Sequence, residues 1–241
     1  VIFCGGVGGG YGGGWRPQPF RHPPRPVPRA FSTMNIDRAG FPFVLAALAP
    51  AFALAALGRP AWGAPFAVLA AFFAFFFRDP DRQPPREAHA VVSPADGRVM
   101  IAGRAAGSGT PPGDWLQISI FLSPLDVHIN RVPVSGRVTR IVRRPGRFVA
   151  AYRPESSENE QNEIWIDRGG QVVVVRQIVG VLARRVVCRL AEGQQVGAGE
   201  RLGLMKFGSR MDVFLPPTAE LWVRVGDRVR GGETRLAGLK P

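Results

Sequence analysis

A Gly-Ser pair, Gly208-Ser209, stands between two apolar, strand-like stretches, Leu204-Met205 before it and Met211 to Leu215 after it. That places the pair at a sharp bend between two strands. There the Ser209 hydroxyl can reach the carbonyl carbon of Gly208 through a five-membered ring, and proximity strongly favours such intramolecular attack once the geometry is held. Glycine, lacking a Cβ, lets the backbone take the strained shape required. With a base to remove the serine proton and donors for the developing oxyanion, the amide becomes an ester. Elimination of that ester breaks the chain and leaves a dehydroalanine, which hydrolyses to a pyruvoyl group at the new amino terminus. Most Gly-Ser pairs are ordinary turns, so the chemistry depends on context.

A base is the next requirement, and the chain has three histidines. His22 lies in a low-complexity tail, and His89 precedes a strand without a motif around it. His128 falls in Leu125-Asp126-Val127-His128-Ile129-Asn130-Arg131-Val132-Pro133. Strand alternation there sets Asp126, His128 and Asn130 on one face and Val127 and Ile129 on the other. A neutral imidazole suits removal of the Ser209 proton near neutral pH, although the same pattern fits a solvated polar face. Asp96 sits in Ser93-Pro94-Ala95-Asp96-Gly97, between Val91-Val92 and Arg98 to Ile101. Asp-Gly between apolar runs signals a hairpin, so by pattern alone Asp96 is a turn residue.

The elements that must position these groups begin after residue 33. Eight of the first fourteen residues are glycine, and Trp15 to Ala30 is dense in proline and arginine, so residues 1–33 are expected to be disordered. Phe41 to Leu57 and Ala61 to Phe77 are nearly all apolar, interrupted at Gly58-Arg59-Pro60. As helices, runs of this length span roughly 25 Å, slightly short of a ~30 Å hydrocarbon core. Two runs in succession argue against a secretory signal. Arginines flank them at Arg38 and at Arg78, Arg82 and Arg86, which keeps both ends in the cytoplasm by the positive-inside rule. The expectation is a helical hairpin anchor over residues 34–83, spanning the membrane or entering one leaflet.

From residue 84 the pattern changes to short strands and turns. Leu116 to Leu122, Gln171 to Val175 and Val179 to Leu190 read as strands, and Glu155 to Glu163 as an acidic, asparagine-rich loop. Cys188 is expected to be a small core residue; with Cys4 far away, no disulfide framework or cysteine metal site is indicated. The net charge of +13 suits an anionic partner, either a lipid surface or nucleic acid. Arg140, Arg143, Arg144 and Arg147 form a solvated cluster that beside a membrane could hold anionic lipid, at about 1 kcal/mol per residue. No nucleic-acid motif accompanies the charge.

Met205-Lys206-Phe207-Gly208-Ser209-Arg210-Met211-Asp212-Val213-Phe214-Leu215-Pro216 resembles the self-processing site of the phosphatidylserine decarboxylases, in their short bacterial and archaeal-type branch. Phe76-Phe77-Arg78-Asp79-Pro80, Ser-Pro-Ala-Asp-Gly at 93–97, the Asp126-x-His128 motif and Met34-Asn35-Ile36-Asp37-Arg38 extend the likeness, which covers roughly Met34 to the carboxyl terminus. The resemblance implies cleavage between Gly208 and Ser209 into chains 1–208 and 209–241 that stay associated, with Ser209 becoming the pyruvoyl cofactor. It implies that Asp96 orients the catalytic histidine. It also implies conversion of phosphatidylserine to phosphatidylethanolamine and carbon dioxide at the cytoplasmic side of the cell membrane, with His128 protonating the substrate carbanion. Many longer members carry a second histidine where this chain has Arg131, so His128 would serve both cleavage and decarboxylation. Asn159-Glu160 is similar to a short stretch near the family's site.

The implied fold class is α+β, mostly β, with a catalytic domain over residues 84–241. Val134 to Val138 and Val223 to Leu236 look like the two halves of a biotinyl or lipoyl-type barrel-sandwich. A second reading follows from that likeness: a membrane-anchored carrier or adaptor modified at Lys206 in Leu204-Met205-Lys206. Carriers usually have a second methionine after the lysine, where this chain has Phe207.

Overall fold

The computed structural model describes residues 34–106, 109–181, 186–205 and 208–240. The tail of residues 1–33, with Cys4 and His22, lies outside the described residues, as does Lys206.

The two apolar runs form an antiparallel helical pair. Strand β1 (Met34–Ile36) leads through a tight turn at Arg38–Gly40 into α1 (Phe41–Ala56), and α2 (Pro60–Phe76) returns to β2 (Arg78–Pro80). The break between helices falls at Gly58, whose φ of +72° suits only a residue without a Cβ. The surfaces that face one another are small: Ala47, Gly63 and Ala70 are buried, and a Cβ on Gly63 would stand 2.9 Å from the Ala51 carbonyl oxygen. Leu45, Phe52, Trp62 and Val68 instead stay exposed. With its preceding turn, α1 is long and apolar enough to cross a membrane, while α2 is shorter. Strands β1 and β2 pair, Met34 opposite Pro80, and close the base of the helical pair.

The rest of the chain is β-rich. In order it forms β3 (Ala90–Val92), β4 (Gly97–Arg104), β5 (Leu116–Leu122), β6 (Ile129–Arg131), β7 (Gly136–Arg144), β8 (Gln161–Arg168) and β9 (Gln171–Ile178). Then follow β10 (Val186–Cys188), β11 (Gln195–Val196), β12 (Arg201–Met205), β13 (Ser209–Leu215), β14 (Glu220–Leu221), β15 (Arg228–Val229) and β16 (Arg235–Gly238). An eight-stranded antiparallel sheet has the order β11-β7-β8-β9-β13-β5-β4-β15, and two small sheets have the orders β10-β12-β6 and β14-β16-β3. The chain is thus α+β and mostly β, as expected.

Strand β13 is buried along its whole length between β5 and β9. Alternation divides its side chains. Met211, Val213 and Leu215 join Ile118, Ile120, Ile164 and Val175 in the main core, while Arg210, Asp212 and Phe214 face the other way. Cys188 is half-buried against the same core, as its sequence setting suggests.

Three local expectations need correction. The segment around Asp96-Gly97 is not a hairpin, because β3 pairs with β16 whereas β4 pairs with β5 and β15. Gly97 passes so close to β5 that a Cβ would stand 2.1 Å from the Phe121 carbonyl oxygen, so its lack of a side chain serves packing between strands. Asp126 is not a strand residue. It closes a turn in which its carboxylate accepts the Ser123 N–H, and Val127 to Arg131 are all buried rather than presenting a solvated face. Glu155 to Glu163 is not one loop, since Pro154–Glu158 is a 3-10 turn and β8 begins at Gln161. Val134–Val138 runs into β7 and Val223–Leu236 contributes to β15 and β16.

Candidate active site

Between β12 and β13 the chain leaves a small sheet and enters the long one. The crossing ends at Gly208, with φ +69°, in the left-handed region that favours glycine. Ser209 opens β13 opposite Leu122 and is fully buried, and among the described residues its Oγ has no hydrogen-bond partner. Across from Gly208, two residues beyond the last β9 pair, stands Gly180. A Cβ there would lie 2.0 Å from the Gly208 carbonyl oxygen, so only a glycine admits that carbonyl.

His128 immediately precedes β6. Its carbonyl oxygen accepts the N–H of Met205, the last residue of β12, at 3.4 Å, which brings it to the start of the crossing that ends at Ser209. Its ring packs on Phe76 at the end of α2, with centroids 4.1 Å apart. Nδ1 lies 2.9 Å from the Asp126 main-chain oxygen. Because a carbonyl only accepts, Nδ1 carries the proton and Nε2 holds the lone pair. Among the described residues, Nε2 is buried without a partner. Burial pushes the imidazole down from 6.5 to about 4, against the opposing pull of the Asp126 carbonyl and carboxylate. At neutral pH His128 is therefore an uncharged ring with a free basic nitrogen.

Asp96 is held differently. Both its oxygens accept from Arg82 Nη2, at 3.0 and 2.8 Å, and Oδ1 also accepts the Gly231 N–H at 2.7 Å. Burial raises its carboxyl, while Arg82 and Gly231 act in the opposite direction. Among the described residues no hydrogen bond joins Asp96 to His128; the Asp126 charge acts on both. Arg131 is also structural in its contacts, donating to Asp79 at 2.8 Å, to the Pro80 carbonyl and to the Gly199 carbonyl. Together Arg82 and Arg131 tie the segment leaving the helical pair to the strands around the site.

Several residues near the crossing escaped the sequence reading as site residues. Gly180 had no motif to mark it. Asn159, in the weak Asn-Glu stretch, clasps Val149 through both N–H and C=O and donates to the Val179 carbonyl at 2.8 Å, fixing the backbone just before Gly180. Asn162 Nδ2 donates to Gln177 Oε1 at 3.1 Å, and Gln177 Nε2 to Asn130 Oδ1 at 2.8 Å. The alternation that singled out His128 already placed Asn130 beside it, a signal that could have flagged this amide.

Ser209 follows a left-handed glycine, and the neutral imidazole of His128 lies on the segment that bonds to the last residue of β12. Residues 69–237 match the family model described as phosphatidylserine decarboxylase. The chain is 42% identical to a phosphatidylserine decarboxylase proenzyme of Solibacter usitatus over 205 residues, 85% of this chain and 97% of that one. It is 47% identical to the proenzyme of that name from Symbiobacterium thermophilum over 206 residues, covering 85% and 95% of the two chains. A third proenzyme, from Pelodictyon phaeoclathratiforme, is 47% identical over 167 residues, 69% of this chain and 78% of its own. With a family match over most of its length and relatives spanned almost end to end, this chain belongs to the phosphatidylserine decarboxylase family.

Proposed function

We propose that this protein is a self-processing carboxy-lyase that converts phosphatidylserine to phosphatidylethanolamine and carbon dioxide, and that it cuts itself between Gly208 and Ser209. The observation that carries the reading is the buried, partnerless Ser209 Oγ directly after a left-handed glycine. His128 Nε2 takes the hydroxyl proton, and Oγ bonds to the Gly208 carbonyl carbon as the C–N bond breaks and the amine is protonated. Loss of the Ser209 Cα proton then expels the Gly208 carboxylate. Hydrolysis of the remaining enamine releases ammonia and leaves a ketone.

The residues present fit a pyruvoyl group, because residue 209 is enclosed and its side-chain atom makes no competing hydrogen bond. Such a group supplies a carbonyl that takes up the substrate amine and accepts the electrons freed when carbon dioxide leaves. His128 Nε2, uncharged at rest, would first take a proton from the substrate ammonium and then return it to the substrate carbon. Asp96 acts as a positioning residue through Arg82, and the enclosure formed by Phe76 keeps water from the imidazole. Chains 1–208 and 209–241 remain associated, since β13 is hydrogen-bonded to β5 on one side and β9 on the other.

The helical pair serves as the membrane anchor, supported by the exposed apolar side chains of α1 and α2. Flanking arginines put the catalytic domain on the cytoplasmic side, where anionic lipids attract its positive charge. Intact-mass spectrometry of the denatured protein tests the reading. Two chains are expected, the smaller starting at residue 209 with a ketone in place of its amine. A single chain of full mass in the folded protein overturns it, and added biotin mass on Lys206 would promote the carrier reading.

A further inference from the structure

The buried polar atoms around the crossing include one that self-processing does not use. Gln177 stands directly opposite Met211 of β13 and Asn162 of β8, so both amides share the sheet face that Ser209 occupies two residues away. Asn130 reaches this face from a small sheet, two residues after His128. The three amides are oriented in series: Asn162 donates to Gln177, and Gln177 donates to Asn130. Asn130 therefore has its oxygen occupied, and its Nδ2 is left buried with no acceptor among the described residues. Leaving a buried donor unmatched costs about 1 to 3 kcal/mol, and native structures rarely tolerate it without a reason.

We propose that Asn130 is a substrate-binding residue whose Nδ2 donates to an anionic oxygen of the serine headgroup, with Gln177 and Asn162 setting its orientation. The inference rests on the decarboxylase reading above. An amide nitrogen donates and cannot accept, so its complement is an acceptor, and the headgroup offers a carboxylate and a phosphate. Hydrogen bonds to ionised acceptors in a water-poor site are stronger than neutral ones. A neutral donor also orients a carboxylate without the ion pair that would oppose its loss as carbon dioxide.

The test uses the full chain with Asn130→Ala and Gln177→Glu, and soluble short-chain phosphatidylserine and phosphatidylethanolamine as probes. Wild type must first cut and decarboxylate; failure there sinks the underlying reading rather than this one alone. Asn130→Ala is expected to cut fully while its KM for phosphatidylserine rises on the order of tenfold to a hundredfold, with kcat largely kept. A glutamate at 177 accepts from both neighbours, so Asn130 turns and presents its oxygen. Gln177→Glu should therefore keep cutting and thermal stability yet lose headgroup affinity to a similar degree. Calorimetric titration with phosphatidylethanolamine locates the contact: weakened binding assigns it to the phosphate, unchanged binding to the carboxylate. Unchanged affinity for both lipids in both variants overturns the proposal, as does loss of cutting in Asn130→Ala, which would place the amide in self-processing.

Discussion

Arg210 and Asp212 on one face of β13 are as removed from solvent as Ser209 on the other, yet the two faces satisfy their polar groups in opposite ways. On the first face, Arg210 donates to both oxygens of Asp212, at 2.7 and 2.9 Å, and to Ser119 and Ser156. Gln117 adds a donor to Asp212. Next to them Arg176 and Trp165 donate to Glu163, and these bonds more than offset burial, so the Glu163 carboxyl lies below its ordinary value. On the second face, around the crossing, Ser209 Oγ, His128 Nε2, Asn130 Nδ2 and Asn162 Oδ1 all lack partners among the described residues, whereas on the first face the same is true of Gln161 Oε1 alone. A cluster with its bonds made fixes strand register. A cluster with bonds missing costs stability and is kept where chemistry or a ligand completes it.

The comparison breaks most visibly at the reacting residue. Ser209→Ala should remain one uncut chain without decarboxylase activity, read by denaturing electrophoresis and carbon dioxide release. Next comes Asp212→Ala in the satisfied cluster, which strands Arg210 in the interior. Unfolding by urea should show a loss of about 3 to 5 kcal/mol, with cutting retained in whatever fraction folds. A loss of cutting in fully folded Asp212→Ala would erase the distinction between the faces. Gly180→Ala sharpens it from the other side: its methyl would stand 2.0 Å from the Gly208 oxygen. We expect cutting to slow at least on the order of a hundredfold, for a stability loss of only about 1 to 3 kcal/mol.

His128 gives the comparison a pH dependence. Its folded value of about 4 lies below the ordinary 6.5, so between those values the unfolded chain binds a proton that the folded chain refuses. Stability is therefore fully present above pH 6.5 and falls as pH drops toward 4, by up to about 3 kcal/mol. His128→Gln, compared with wild type by urea unfolding across this range, should remove that slope. The smallest effect is expected at the exposed Arg147–Glu158 pair, 3.6 Å apart, where Arg147→Ala should change stability by less than about 1 kcal/mol.

Much of this was legible in the chain. The helices at 41–56 and 60–76 follow directly from two apolar runs and the break at Gly58, and β5 matches the strand read at Leu116 to Leu122. Ser209 and His128 stood out because a Gly-Ser bend and an isolated histidine in a patterned strand are local signals. Asp96 was visible too, but its neighbours misled: apolar runs around Asp-Gly predict a hairpin only if the runs pair with each other, and here β3 pairs with β16 near the chain's end while β4 pairs with β5 and β15. The buried run Val127 to Arg131 misled for a related reason, since polar residues in alternation read as solvated until another sheet covers them.

The sequence by itself determined the apolar helical pair, the β-rich remainder and the position of the Gly-Ser dipeptide between strands, because periodicity, composition and adjacent residue types are properties of short segments. Tertiary structure alone decided that Gly180 would make room for the Gly208 carbonyl, that Arg82 would hold Asp96, and that Gln177 would donate to the Asn130 oxygen. These relations join residues on separate strands. Their physical basis is sheet register and burial, which emerge only when the long sheet and the small ones close on one another.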